Sequence, residues 1–283
     1  MRLQTDHLTL GYGRLTVVPD LSLDVLDGKI TSLVGRNGCG KSTLLRAMGR
    51  LLKPQRGAVV LDGTAIATAS TREVAQKLAV LPQGPTAPEG MTVRDLVEQG
   101  RYPYRDFFGV RSDDDRRLVA WALEQTGMAE FAARPLESLS GGQRQRGWIA
   151  MALAQDTGIM LLDEPTTFLD VAYQLELMEL LRDLNAKHGR TILMVLHDLN
   201  QAAHYSHHLI AMKDGAIYAA GSPRDVLTAK MVRDVFGVEA DITADARSGS
   251  PLCIPHGLAP GAVAPEGEFE TAAAAVAHEG ARA

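Results

Sequence analysis

Apolar residues recur along this chain in three rhythms, and each rhythm predicts a different element. Near the N-terminus Leu21, Leu23 and Val25 alternate with polar residues, the period-two pattern of a strand with one wet face. Residues 1–30 read as short strands with turns, and Asp27-Gly28 is a hairpin signal. Ile30 to Val34 is a further strand that runs into a glycine-rich loop. Two later runs, Ile159-Met160-Leu161-Leu162 and Thr191 to Leu196, are apolar almost throughout, as in strands covered on both faces. The helical rhythm appears at Leu44, Leu45, Met48, Leu51 and Leu52, predicting a helix over Ser42–Leu52 with Pro54 beyond its end. It returns at Leu118–Thr126. Leu209–Met212 and Ala216–Ala219 flank Asp214-Gly215 as a hairpin, and Ser222-Pro223 starts a terminal helix.

These elements divide the chain. Residues 1–84 and 158–255 form one α/β core, in which strands alternate with helices. Between them, residues 85–157 carry long charged stretches such as Ser112-Asp113-Asp114-Asp115-Arg116-Arg117 and read as a mostly helical insertion. Residues 256–283 are an alanine-rich tail with little to bury, expected to be disordered. No internal repeat is evident.

Composition narrows the function classes. Apolar residues make 46% of the chain and charged residues 22%, and the formal charge of −5 excludes broad nucleic-acid binding, which needs a basic excess. Cysteine occurs only at Cys39 and Cys253, so no disulfide framework or metal-ligand spacing is present, and a reducing, cytoplasmic compartment is expected. No export signal opens the sequence, and no apolar run approaches the roughly 20 residues of a membrane span. Membrane association would come through a partner.

The chemistry lies in two phosphate readers and an acidic strand end. Gly35-Arg36-Asn37-Gly38-Cys39-Gly40-Lys41-Ser42 fits the loop pattern G-x-x-x-x-G-K-[ST], followed by Thr43. Its glycines let backbone N–H groups curl round phosphate oxygens while Lys41 places a charge between the outer phosphates. Leu139-Ser140-Gly141-Gly142-Gln143 opens a second helix with a capping Ser and exposed N–H groups, again suited to an anion. Asp163 and Glu164 end a buried strand, where ligands of open α/β sheets bind. Asp163 is expected to hold Mg²⁺ opposite the Ser42 hydroxyl, and Glu164 to polarise the attacking water as general base. His197 ends the next hydrophobic strand, within reach of a γ-phosphate. Gln83, just before the helical insertion, could contact metal and water. Tyr12, between Gly11 and Gly13, is a candidate for stacking on adenine. Cys39, inside the loop at a helix N-terminus, is expected to have a lowered pKa and to react with maleimide.

Taken in order, these strings resemble the ATP-binding subunits of ABC transporters over roughly residues 1–255. The match runs through aromatic Tyr12, the Walker A loop 35–42, Q-loop Gln83, signature 139–143, Walker B 159–164, D-loop Asp170 and switch His197. The resemblance implies a P-loop NTPase core with a mixed sheet, an N-terminal antiparallel β region and an inserted α-helical subdomain bearing the signature. It also implies a head-to-tail homodimer. Ser140, Gly141 and Gly142 of one subunit would close on ATP and Mg²⁺ held by the other, with Asp170 near the axis.

Further strings are similar to a narrower group, the ATPases of bacterial iron–siderophore importers. They are Gly35–Thr43, Gly100-Arg101-Tyr102-Pro103, Asp163–Asp170, Leu196–Gln201 and Pro251-Leu252-Cys253-Ile254-Pro255. That group works at the cytoplasmic face of the inner membrane with two integral-membrane permease subunits and an extracytoplasmic substrate-binding protein. Tyr102, Tyr104, Phe107 and Phe108 on the insertion suit a docking pocket for a permease helix. Haem or cobalamin is the alternative cargo, and a soluble non-transport ABC ATPase the alternative class.

Overall fold

A computed structural model describes residues 1–105 and 112–261. Phe107, Phe108 and the tail after residue 261 lie outside the described residues. In chain order the first elements are β1 (Leu3–Tyr12), β2 (Leu15–Val25), β3 (Ile30–Gly35) and α1 (Lys41–Met48). Next come β4 (Arg56–Leu61), β5 (Thr64–Ala65), α2 (Thr71–Lys77) and β6 (Leu78–Leu81). The inserted helices are α3 (Val93–Gln99), α4 (Asp113–Gln125) and α5 (Gly141–Ala154). The core resumes with β7 (Ile159–Asp163), α6 (Val171–His188), β8 (Thr191–Val195), α7 (Leu199–Tyr205), β9 (His208–Lys213) and β10 (Ala216–Gly221). It closes with α8 (Pro223–Val226), α9 (Ala229–Met231), a π turn at Val232–Phe236, β11 (Val238–Ala244) and β12 (Pro251–Leu258).

Among the described residues the central sheet has the order β10-β9-β3-β8-β7-β6, with only β10 antiparallel. An antiparallel sheet of order β2-β1-β4-β5 packs beside it. The continuous apolar runs are explained by two cores, one on each face of the central sheet. On β7, Met160 and Leu162 enter one core while Ile159 and Leu161 enter the other. On β8, Ile192 and Met194 point one way and Leu193 and Val195 the other, and β9 divides in the same manner. The first core continues into α3, α4 and α5, through Leu96, Val97, Val119, Leu123, Ile149 and Leu153. Burial of that shared core seats the insertion on the sheet.

Several local expectations are corrected. Asp27-Gly28 is not a hairpin turn: β2 and β3 belong to different sheets, and the turn carries the chain between them. There the Gly28 N–H donates to Thr191 Oγ1 at 2.9 Å. α1 stops at Met48 rather than Leu52, because Arg50 takes a left-handed conformation (φ 61°). The segment from Ser222 is a single turn, α8, and the chain goes on to the antiparallel pair β11–β12. β12 reaches Leu258, past the boundary at 255 where the resemblance ended.

Candidate functional site

β3, β7 and β8 are adjacent and parallel, so their C-terminal ends deliver three short segments to one edge of the sheet. These are the glycine loop after Val34, the pair Asp163-Glu164, and His197. The loop folds through left-handed turns at Gly38 (φ 77°) and Gly40 (φ 103°). A Cβ on Gly35 would stand 2.4 Å from the Met212 carbonyl oxygen and 2.8 Å from Cys39 Sγ, so only glycine fits there. Lys41 is buried, and its ammonium donates to the carbonyls of Gly35 at 2.8 Å and Arg36 at 2.9 Å. The loop is thus wound around its own cation, a cradle suited to phosphate oxygens. Gly40 faces Val17 and Val18 of β2. Tyr12, half-buried, sits at the tip of the same β1–β2 hairpin, opposite Leu15.

Ser42 Oγ donates to Asp163 Oδ1 at 2.9 Å, joining residues 121 positions apart. Asp163 is 1% exposed, and its Oδ2 is buried without a hydrogen-bond partner. Burial pushes its carboxyl up from the usual aspartate range, opposed by the Ser42 bond. A buried carboxylate oxygen left unpaired beside a hydroxyl fits a hard divalent cation, and Ser42 with Asp163 could hold one.

Glu164 follows with a left-handed backbone (φ 51°), unusual for a residue with a side chain. Its two carboxylate oxygens are separately gripped. Oε1 meets His197 Nε2 at 2.7 Å and Oε2 accepts from Thr167 Oγ1 at 3.2 Å. The His197 contact, followed by bonds from Thr167 and Gln83, holds the carboxyl below the usual glutamate range although burial opposes it. Glu164 is therefore ionised and oriented, the state a general base requires. The structure brings Gln83, Glu164 and His197 together.

The segment 139–143 opens a helix with the capping Ser that the sequence predicts. Ser140 caps α5 through a reciprocal box, with the Gln143 N–H donating to Ser140 Oγ and the Ser140 N–H to Gln143 Oε1. Ser140 and Gly141 are exposed, and the N–H groups of Gly141 and Gly142 precede the first intrahelical bond. Within the chain this end packs on Phe168, whose carbonyl oxygen would stand 3.1 Å from a Cβ on Gly142. Asp170 caps α6, accepting from the Tyr173 N–H at 3.0 Å.

Cys39 departs from its expectation. It is 7% exposed, and burial raises its thiol pKa more than nearby Lys41 lowers it. Desolvation outweighs the helix terminus, so the group is a buried thiol and not a thiolate. Sequence reasoning also missed Thr167 and the amides of Gln145, Gln174 and Gln201, which bind the segment after Glu164 or one another. Only Thr167 carried a signal, a hydroxyl three residues beyond an acidic strand end.

Comparison with known proteins agrees with this geometry. A family model described as ABC transporter matches residues 18–167. The Iron(3+)-hydroxamate import ATP-binding protein FhuC of Bacillus subtilis is 52% identical over 256 residues, covering 90% of this chain and 95% of that protein. The probable siderophore transport system ATP-binding protein YusV of the same organism is 54% identical over 255 residues, covering 90% and 93%. Among solved structures, a dimeric post-hydrolysis state of the ATP-binding cassette MJ0796 bound to ADP and Pi superposes with a TM-score of 0.71. It is 30% identical and covers 78% of this chain and 99% of that one. Glycine loop, acidic strand end, capped signature helix and family match converge, and the chain belongs to the ABC transporter family as an ATPase cassette.

Proposed function

We propose that this chain is the energy-coupling ATPase of an importer for ferric siderophores. The observation that carries the catalytic part is the Glu164 carboxylate, fixed between His197 and Thr167 and next to the Ser42–Asp163 pair. Glu164 takes the proton of the attacking water, and His197 orients the carboxylate from the neighbouring strand end. Lys41 and the loop N–H groups hold the phosphates, and Tyr12 offers a face to the adenine. When bound, Mg²⁺ held by Ser42 and Asp163, with Gln83 nearby, would neutralise charge on the outer phosphates.

Ser140 and Gly141, exposed at the α5 N-terminus, and the half-buried Gly142 are read as the contact to nucleotide on a second copy, with the exposed Phe168 packed against them and Asp170 two residues further on. The dimeric description of MJ0796 supports this arrangement. Cargo and direction of transport are supported by the names of FhuC and YusV. Among the described residues no helix is long and apolar enough to cross a membrane. The chain would sit at the cytoplasmic membrane face through two permease subunits, served by an extracytoplasmic binding protein. Tyr102, 68% exposed on the insertion, is available to a permease helix. Tyr104 is engaged instead with Arg101 and the Gln76 carbonyl.

Glu164→Gln tests the catalytic reading, since it keeps size and hydrogen bonding but cannot take a proton. Hydrolysis should fall about 10²–10⁴-fold while ATP binding persists. Size-exclusion chromatography should then show a dimer with ATP and a monomer without. Hydrolysis at the wild-type rate would remove Glu164 from the role of base. For cargo, uptake of a labelled ferric siderophore should require the gene. Intact siderophore uptake with lost haem or cobalamin uptake would overturn that assignment.

A further inference from the structure

The segment that joins Glu164 to α6 is held by side-chain amides from α5 and α6, and the α6 amide is in turn met by one from α7. Gln145 of α5 donates to the Pro165 carbonyl at 3.2 Å. Gln174 of α6 donates to the carbonyls of Leu169 at 3.1 Å and Thr166 at 3.4 Å. Gln201 of α7 donates to Gln174 Oε1 at 2.8 Å. The carbonyls of Thr166 and Leu169 can only accept, so Gln174 must aim its NH₂ at them. Its oxygen is then left for Gln201, whose own Oε1 is buried without a partner. The direction of the chain is therefore determined from the segment outward.

These bonds close a ring. Gln201 stands four residues after His197, and Asp198 Oδ1 ties the intervening turn by accepting from the Asn200 and Gln201 N–H groups. His197 grips Glu164 Oε1 while Thr167, lying between the two carbonyls that Gln174 holds, grips Oε2. The path runs Glu164, His197, Gln201, Gln174, Thr167 and back to Glu164. The segment needs such restraint, because Glu164 and Phe168 both have left-handed backbones (φ 51° and 66°). Non-glycine residues stay in that region only where surroundings over-determine them.

The geometry points to Gln174 as a positioning residue for ATP hydrolysis: it couples α7, behind His197, to the segment behind Thr167, and so fixes both oxygens of the base at once. This rests on Glu164 being the base. Gln174 touches no reacting atom, and its loss would act through the placement of Glu164.

The test is steady-state ATP hydrolysis by the purified full chain, read as kcat and KM for MgATP, with melting temperature as a folding control. Gln174→Leu deletes both links. Gln174→Glu keeps the size and the acceptor for Gln201 but cannot donate to the segment, and it decides the matter if the Leu variant does not fold. Each should lower kcat by about 10–100-fold, the scale of a small misplacement at a reacting centre, with KM and melting temperature little changed. Gln201→Leu should lower kcat alone and add no further loss on top of Gln174→Leu, as expected for members of one network. Wild-type kcat in the Gln174 variants, a loss confined to KM, or full additivity of the two substitutions would overturn the inference. Glu164→Gln run alongside separates the failures. If it is inactive while the Gln174 variants run at the wild-type rate, the ring alone fails. If it retains activity, the assignment of the base falls and the ring with it.

Discussion

His197 Nε2 and Glu164 Oε1 stand 2.7 Å apart, joining the ends of two neighbouring parallel strands. This contact is the largest reason the glutamate is held below its ordinary range, and burial works against it. A depressed carboxylate favours the folded, ionised state above its unfolded pKa, and that benefit is lost as pH falls through the lower folded value. The same sign governs activity, because only the ionised base can take a proton.

His197→Ala should therefore move the acidic limb of the kcat–pH profile to higher pH. With the imidazole gone, the largest lowering influence is lost and the Glu164 carboxyl rises relative to wild type. The profile of purified variant and wild type checks this, and an unmoved limb would separate His197 from the ionisation of Glu164.

Asp163→Asn should abolish hydrolysis and stabilise the nucleotide-free protein. The Asp163 pKa is raised by burial, so the folded state holds its proton more tightly than the unfolded state. Stability from such a group is present below the unfolded pKa and is lost as pH rises through the folded one, so at neutral pH the charge destabilises. Removing it should raise the Tm of the nucleotide-free protein. A lower Tm without nucleotide would show that the carboxylate is already compensated.

Cys39 should resist maleimide at neutral pH in the native protein, with or without nucleotide, and react once the chain is denatured. Its burial and raised thiol pKa both predict this. Rapid native labelling, traced to Cys39 by mass spectrometry, would contradict the packed loop.

Arg101→Ala should destabilise the fold strongly. Arg101 Nε and Asp115 Oδ1 lie 2.7 Å apart with side chains 9% and 8% exposed, and Arg101 Nη1 also donates to the Ala154 carbonyl that ends α5. Breaking a buried pair leaves a charge uncompensated, at about 3–5 kcal/mol. Urea unfolding of the variant measures the loss. Arg101→Ala with unchanged stability would mean that water already reaches the pair.

Much of this architecture could be read from residue order. The apolar runs of β7 and β8 gave strands buried on both faces, and the glycine loop and Asp163 met across the sheet as their positions at strand ends required. What escaped was set by tertiary partners. Asp27-Gly28 has hairpin chemistry, but β2 and β3 hydrogen-bond into different sheets. Cys39 lies at a helix terminus that favours a thiolate, yet packing against Gly35 removes it from water. Gln145, Gln174 and Gln201 look in sequence like ordinary helix-surface amides, and only the fold reveals that each has a carbonyl or an amide to meet. The β11–β12 pair was hidden by prolines and polar residues. It docks through Asn200, whose amide pairs with the Cys253 backbone in both directions.

The position of β3 within the sheet has a consequence for biosynthesis. The strand that launches the glycine loop is made early, yet its hydrogen-bonded neighbours are β8, from Thr191, and β9, ending at Lys213. A nascent chain still short of β8 has no flanking strand for β3 and leaves Ser42 with an Asp163 that nothing aligns. Pairings of such sequence separation form slowly and late. The ribosome would thus complete most of the polypeptide before any nucleotide could be held, and ATP would stabilise only chains whose synthesis had passed the ninth strand. Protease protection of arrested chains of graded length, with and without ATP, would reveal that threshold.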